Sequence, residues 1–273
     1  MARRKIKLPS FNAVGASQTA TIDIPVGARF HNIKIFYKDN AIQSVIESDI
    51  TMIRIKVNGK VQRTYKPAEL YKTLKANGHA FIAGIIPIYF SEPWRRNVVS
   101  EDVLAWGTSG LDTFQIELDI ASGATAPKLH AYAVTDNVIA SLSNIIKVRR
   151  QVIPVSQTGL LTVSTLSKRA DEIYHRMHCF EGADGDIESV EIKQDGYDVY
   201  SADVAVNDAN MADRDIVSQT GVFHIMFDDT QRTEDGLVMV HADGKSVQDF
   251  QVNFQMANAT TFTLLTEVRG NPD

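Results

Sequence analysis

The sequence predicts an all-β protein made of two tandem eight-stranded jelly-roll β-sandwiches, with one or two short helices. Three observations carry that expectation: strongly alternating segments, scarce helical periodicity, and an internal repeat of about half the chain. Met52-Ile53-Arg54-Ile55-Lys56-Val57 alternates and then meets Asn58-Gly59, a pair that tolerates the positive φ of a tight hairpin. Phe114 to Ile120 and Phe250 to Met256 each alternate over seven residues. Strands of this kind bury one face and wet the other, as in a sandwich or barrel and unlike a parallel α/β sheet.

Taken along the chain, the repeat is ordered. Arg3-Arg4 opens the first half and Arg149-Arg150 the second. Phe30 to Phe36 is echoed by Tyr174 to Phe180, and Ile53 to Gly59 by Val190 to Gly196. The segment 114–120 is echoed by 250–256, and 128–134 by 262–268. The offset drifts from 146 through 144 and 137 to 134, as unequal loops produce. Pro67 to Lys75 has Pro in the first turn and Leu70 and Leu74 four apart, which predicts a short helix. A second helix is expected over 138–149, with Ile139, Leu142 and Ile145/Ile146 on one face. The domains are therefore 1–140, a first jelly roll with a basic N-terminal arm, and 141–273, a second jelly roll. Each half holds about eight short strands, the count a Greek-key jelly roll needs. An immunoglobulin-like sandwich fits less well, being usually about 100 residues with a Cys–Trp–Cys pattern.

Composition is that of a globular protein: 273 residues, 44% hydrophobic and 22% charged. There is no run of 18 apolar residues to span a bilayer, and Met1-Ala2-Arg3-Arg4-Lys5 lacks the apolar stretch of a secretory signal. The single cysteine, Cys179, is expected to be a small core residue, and synthesis in a reducing cytoplasm is expected with it. Charge is unevenly spread. Residues 1–143 carry 17 Lys+Arg against 12 Asp+Glu, and residues 144–273 carry 11 against 21, so the halves are +5 and −10. The only dense basic run is the first seven residues, which argues against dedicated nucleic-acid binding.

No catalytic constellation emerges. Gly244-Lys245-Ser246 lacks the upstream glycine of a phosphate loop, since Met239 occupies its place. Gly107-Thr108-Ser109-Gly110 lacks the spacing of a nucleophile elbow. His175, His178 and Cys179 resemble a zinc cluster, but on a strand His175 and His178 point to opposite faces and cannot close one tetrahedral site. The acidic loops Glu181 to Glu188 and Asp228-Asp229 to Glu234-Asp235 are candidates for structural calcium, yet they miss the EF-hand spacing. A cupin-type enzyme needs clustered histidines, and the seven here are dispersed. No catalytic residue, cofactor site or metal ligand is assigned.

The stretch Ile53 to Gly59, with Thr64-Tyr65-Lys66 and the short helix at Leu70, resembles the major capsid proteins of corticoviruses. These are tailless, membrane-containing double-stranded DNA phages of the double jelly-roll lineage. Ile22-Asp23-Ile24-Pro25-Val26-Gly27, Ala105 to Leu111, Ala126 to Leu129, Val148-Arg149-Arg150 and Asp195-Gly196 share the resemblance. It spans nearly the whole chain and is closer in the first half. It implies a structural capsid subunit and no enzyme: homotrimers of nearly hexagonal outline that tile an icosahedral shell over an internal membrane. It implies as partners the chain itself, neighbouring trimers, other capsid proteins such as a vertex protein, and the membrane surface, with no small-molecule substrate. The expected location is the virion, after synthesis in the host cytoplasm. Beside this, Arg3, Arg4, Lys5 and Lys7 form a candidate membrane-facing arm, worth roughly 4 kcal/mol against anionic headgroups. The competing reading is a jelly-roll carbohydrate-binding module, which needs aromatics clustered on an exposed face.

Overall fold

The computed structural model describes residues 3–95 and 98–273. In chain order the elements of the first half are β1 (Arg4–Lys7), β2 (Thr19–Asp23), β3 (Arg29–Tyr37), α1 (Gln43–Asp49), β4 (Ile50–Val57), β5 (Lys60–Tyr65), α2 (Pro67–Ala76), β6 (Ile85–Tyr89), α3 (Val98–Asp102), β7 (Trp106–Gly107), β8 (Phe114–Ile120) and β9 (Leu129–Asp136). Then come β10 (Ile145–Ile153), β11 (Gly159–Val163), β12 (Ile173–Phe180), β13 (Ile187–Gln194), β14 (Tyr197–Asp203), α4 (Val204–Ala212), β15 (Val222–Met226), β16 (Leu237–Val238), β17 (Phe250–Met256) and β18 (Phe262–Gly270). The chain forms two compact units, residues 1–75, 79–148 and 270–273 in one, residues 76–78 and 149–269 in the other.

Each unit is a jelly roll. In the first, one sheet runs β1-β9-β3-β6 with β7 beside β3, and the other runs β2-β8-β4-β5. In the second, the orders are β10-β18-β12-β15, with β16 beside β12, and β11-β17-β13-β14. Leaving out the two-residue strands β7 and β16, each roll has eight main strands in the same arrangement, 1-8-3-6 and 2-7-4-5. All four repeated segments fall on matching strands, the third (β3, β12), fourth (β4, β13), seventh (β8, β17) and eighth (β9, β18). The fold is a double jelly roll.

The correspondence extends to irregularities. A β-bulge, an extra residue that locally breaks the ladder, lies between Phe30 and Asn32 on β3 and between Tyr174 and Arg176 on β12. A second lies between Ile50 and Met52 on β4 and between Ile187 and Ser189 on β13. A third lies at Ile55/Lys56 and recurs at Ile192/Lys193. The hairpins after these strands also match: Asn58 and Gly59 have φ of 48° and 79°, Asp195 and Gly196 of 47° and 84°. Positive φ at both central residues matches the right-handed strand twist, and Gly, Asn and Asp tolerate it best.

Alternation becomes burial as expected. On β8, Phe114, Ile116, Leu118 and Ile120 are buried while Gln115, Glu117 and Asp119 are half-exposed. Phe90, Trp106 and Phe114 pack with ring centroids 4.5 to 5.8 Å apart, and the Arg63 guanidinium lies over Trp106 and Phe90. Such ring pairs add roughly 0.5–1.5 kcal/mol each beyond the area they bury. The core of the second roll includes Tyr174, Met177, Cys179, Phe250, Phe254 and Phe262. Cys179 is fully buried, and burial pushes its thiol far above the usual range.

The helix α2 forms where expected: Pro67 starts it, and Glu69 accepts a hydrogen bond from the Lys66 N–H at 2.8 Å, satisfying an orphan donor of the first turn. The helix expected over 138–149 does not form. Residues 138–144 are irregular, Ile139 is exposed, and Asn144 adopts φ 50°. That left-handed residue breaks helical continuity, and Ile145 to Val148 then enter β10 buried on both faces.

Candidate assembly surface

Interior polar groups position the strands. In the first roll, Asp136 at the end of β9 accepts from Arg29 Nη2 at 2.5 Å and from the Val138 N–H at 3.0 Å, and its other contact is His31 Nε2 at 2.8 Å. Burial pushes its carboxyl up, but Arg29, His31 and the Val138 N–H outweigh it and hold the group well below the ordinary carboxylate range. The second roll repeats the theme around its own bulged histidine. His175 Nδ1 lies 3.3 Å from Asp228, which accepts from Arg176 at 2.7 and 2.9 Å. Arg176 also donates to Glu267, and His178 Nδ1 meets His224 Nδ1 at 2.7 Å. Glu267 is held down to about 2: burial raises it, and His178 and Arg176 more than reverse that.

This network corrects the expectation that His175 and His178 separate onto opposite faces. The bulge between Tyr174 and Arg176 breaks the two-residue period, and both histidines join one polar chain through Arg176 and Glu267. Among the described residues no group of three or more His, Cys, Asp or Glu side chains is placed to hold a metal ion. In the acidic loop, Glu181 accepts from the Gly185 and Ile187 N–H groups, and Asp186 from the Ala183 N–H. Asp184 accepts from the Gly221 N–H. Glu181 and Asp186 thus order their own turn, and Asp184 ties it to Gly221.

The other singled-out motifs are structural. Gly244 sits at φ 83° in a turn. The Thr108 hydroxyl donates to the Ala28 carbonyl at 2.6 Å. Trp106 is fully buried and Trp94 half-buried against His79 and Tyr89, so neither indole forms an open platform for a sugar ring. No helix among the described residues is long and apolar enough to cross a membrane.

What remains is the outer surface. The basic segment expected to be an arm is tied down: Arg4 to Lys7 form β1, antiparallel to β9 with Arg4 opposite Thr135 and Lys7 opposite Tyr132. Arg3 pairs with Glu101 at 2.9 Å and Asp102 at 2.5 Å, while Arg4, Lys5 and Lys7 are exposed. In the second roll β14 ends its sheet, with Tyr197 75% exposed and Val199 39% exposed. No clear alternation marks this strand in the sequence. Its charge does: from Gln194 to Asp213 there are five aspartates and no Lys, Arg or His, a signal visible in a windowed charge count.

Comparison with known proteins gives the family. The family model described as the viral coat protein P2 N-terminal domain matches residues 5–136, and the one described as the P2 C-terminal domain matches residues 145–271. The chain belongs to the viral coat protein P2 family. It is 24% identical over 200 residues to the major capsid protein P2 of Pseudoalteromonas phage PM2, covering 71% of each chain. The crystal structure of P2 from bacteriophage PM2 superposes with a TM-score of 0.88 at 21% identity, covering 100% of this chain and 98% of that one. The STIV MCP gives 0.73 at 13% identity, covering 100% and 98%. The PBCV-1 virus capsid gives 0.62 at 10% identity, covering 99% and 94%. At these identities the superpositions establish the fold. Membership in the P2 coat family makes the chain a viral structural protein and not an enzyme.

Proposed function

We propose that this P2-family chain is the major capsid subunit of a tailless phage, assembling as homotrimers of nearly hexagonal outline that tile an icosahedral shell over an internal membrane. The observation that carries this reading is the duplication, with matching strand order and three matching bulges in each roll. Two near-equivalent sandwiches per chain make three chains a ring of six similar blocks, and a six-fold outline packs a plane without gaps. The partners on this reading are the chain itself, neighbouring trimers, a vertex protein closing the five-fold positions, and the membrane surface. The subunit is made in the host cytoplasm and resides in the virion.

For Arg3, Arg4, Lys5 and Lys7 the lipid reading and a protein partner compete. The pairing of β1 with β9 and the engagement of Arg3 by Glu101 and Asp102 favour the protein partner. The test of the main reading is size in solution followed by electron microscopy of particles. A stable species near three times 30.2 kDa is expected, and a protein that stays monomeric at every concentration refutes the proposal.

A further inference from the structure

We infer that the outward face of the sheet β1-β9-β3-β6 is a contact surface between copies of this chain, receiving an acidic surface of a second copy. The inference rests on the self-assembling reading above and names a surface for it. Residues directly opposite on neighbouring strands share one face of a sheet. The face carrying Ile33, Ile35, Ile86 and Ala131 is buried in the first roll. The register gives the other face. One cross-strand row runs Lys7, Tyr132, Lys34 and Pro87, and the next runs His130, Phe36 and Ile85. A third row adds Lys5 opposite Val134 and again no carboxylate.

Tyr132 is the centre of this face. It is 41% exposed and stands edge-on to Phe36 and His130, with ring centroids 5.7 and 5.9 Å away. Phe36 and His130 stack on each other at 4.7 Å. The three rings therefore make a compact knob, not a flat shelf on which a sugar ring or a base would lie. Towards β6 there is a cleft of about 40 Å³, lined by Tyr71, Phe81, Ile85 and the largely exposed Ile82. Lys34 lines that cleft and also flanks Tyr132, so knob and cleft are neighbours. An aromatic centre and an apolar cleft with charges around them have the anatomy of a protein–protein contact.

Charge selects the occupant. Among the described residues, Lys5, Lys7, Lys34 and Lys128 (just ahead of β9) have no acidic side chain within 4 Å. An anionic surface supplies what they lack. Residues 144–273 of every copy carry 21 acidic against 11 basic side chains. Within them, Gln194 to Asp213 holds five aspartates and no basic residue, beside the exposed Tyr197, Val204 and Val206. A second copy thus offers acidic and apolar surface side by side, matching the lysines, the knob and the cleft together. Such complementarity steers encounter and disfavours wrong partners. Strand pairing holds Lys5 and Lys7 in the sheet beside Tyr132, so they act with a folded surface and not as an arm reaching into headgroups.

Sedimentation of the full chain, followed through trimer formation and onward association into particles, tests this surface. Raising salt from about 0.1 to 1 M shortens the screening length from about 10 to 3 Å, so wild-type self-association is expected to weaken. Lys7→Glu with Lys34→Glu is expected to weaken it about tenfold or more at low salt. Its salt dependence then reverses sign, because salt screens a repulsion. Lys7→Gln with Lys34→Gln should fall between, and Tyr132→Ala should weaken association about tenfold at either salt. These two variants carry the test if indole fluorescence shows that the glutamates unfold the roll. Lys60→Glu with Lys66→Glu changes net charge equally at exposed positions off this face; an equal loss there assigns the effect to bulk charge and overturns the inference. Unaltered association in the Tyr132 and lysine variants overturns the surface and leaves the capsid reading standing, whereas a monomeric wild type overturns both. If the reversals instead abolish retention on anionic phospholipid vesicles or on a single-stranded oligonucleotide, with self-association unmoved, the face serves that ligand and the inference is refuted.

Discussion

Replacing Asp136 by Asn preserves shape and removes one charge from the centre of the Arg29–His31–Asp136 group. Asp136 is 3% exposed, and its carboxylate meets Arg29, His31 and the Val138 N–H between 2.5 and 3.2 Å. Hydrogen bonds to a charged group contribute about 1.5–3 kcal/mol each, and breaking a buried pair costs about 3–5 kcal/mol. An Asn amide also turns an acceptor into a donor facing donors. Arg29 keeps about a fifth of its side chain in solvent and recovers part of the loss, so the expected cost is about 3 kcal/mol. At roughly 2–4 °C per kcal/mol, the midpoint falls by about 6–12 °C. Both tryptophans, Trp94 and Trp106, belong to the first unit, so indole fluorescence follows that roll selectively. The native carboxyl sits below its ordinary value of 3.8, so the unfolded chain takes up the proton first as pH falls. The stabilisation is complete above that value and is lost as pH drops through the lower native one. The gap between wild type and variant therefore stays constant from about pH 7 to 5 and narrows below about pH 4. A midpoint shift under about 1 °C at pH 7, or a gap that widens on acidification, refutes this account.

Three further outcomes are expected. Gly107→Ala places a methyl against the backbone of Ala140; overpacking against main chain costs about 1–3 kcal/mol, readable by the same fluorescence melt. Gly59→Ala and Gly196→Ala each force a non-glycine residue to positive φ at matching hairpins, at about 1 kcal/mol apiece, and calorimetry should show the two losses adding in the double variant. The Cys179 thiol is buried and its ionisation suppressed, so its labelling by a thiol reagent should proceed only as fast as the second roll opens. Labelling of the native protein at the rate of a free thiol contradicts that.

Much of the fold is legible in the sequence because half-buried strands write their geometry directly into residue order. Phe114 to Ile120 and Phe250 to Met256 coincide with β8 and β17 end to end, and the ordered echoes fall on strands that are equivalent in the two rolls. Legibility fails where a local pattern fits two structures. Ile139, Leu142 and Ile145 satisfy a helical period, but Asn144 turns the chain, and tertiary burial makes a strand of Ile145 to Ile153. The edge strands β1 and β11 have weak alternation because solvent wets much of them. The helix α4 begins at a clear cap, the Asp203 side chain accepting from the Val206 N–H, but the short Val/Ala/Asn run beside it carries little helical signal. The partners of the buried histidines are illegible for another reason. Asp136 is 105 residues from His31, and Asp228 is 53 from His175, and no sequence period links positions so far apart.

The three matched bulges have a further consequence, met while the chain folds. A bulge fixes which residues of a strand can face which neighbour, and here both rolls impose the same pattern on their third, fourth and fifth strands. To the backbone, β13 is an acceptable substitute for β4, and β12 for β3. Wrong-roll pairings are therefore a ready trap during refolding, as in other chains with repeated units. Only side chains separate right from wrong: Met52 against Ser189, Arg54 against Glu191, Lys38 against Gly182 beyond the strand ends. Divergence between the halves thus keeps the two rolls kinetically distinct in a chain whose two ladders are nearly the same.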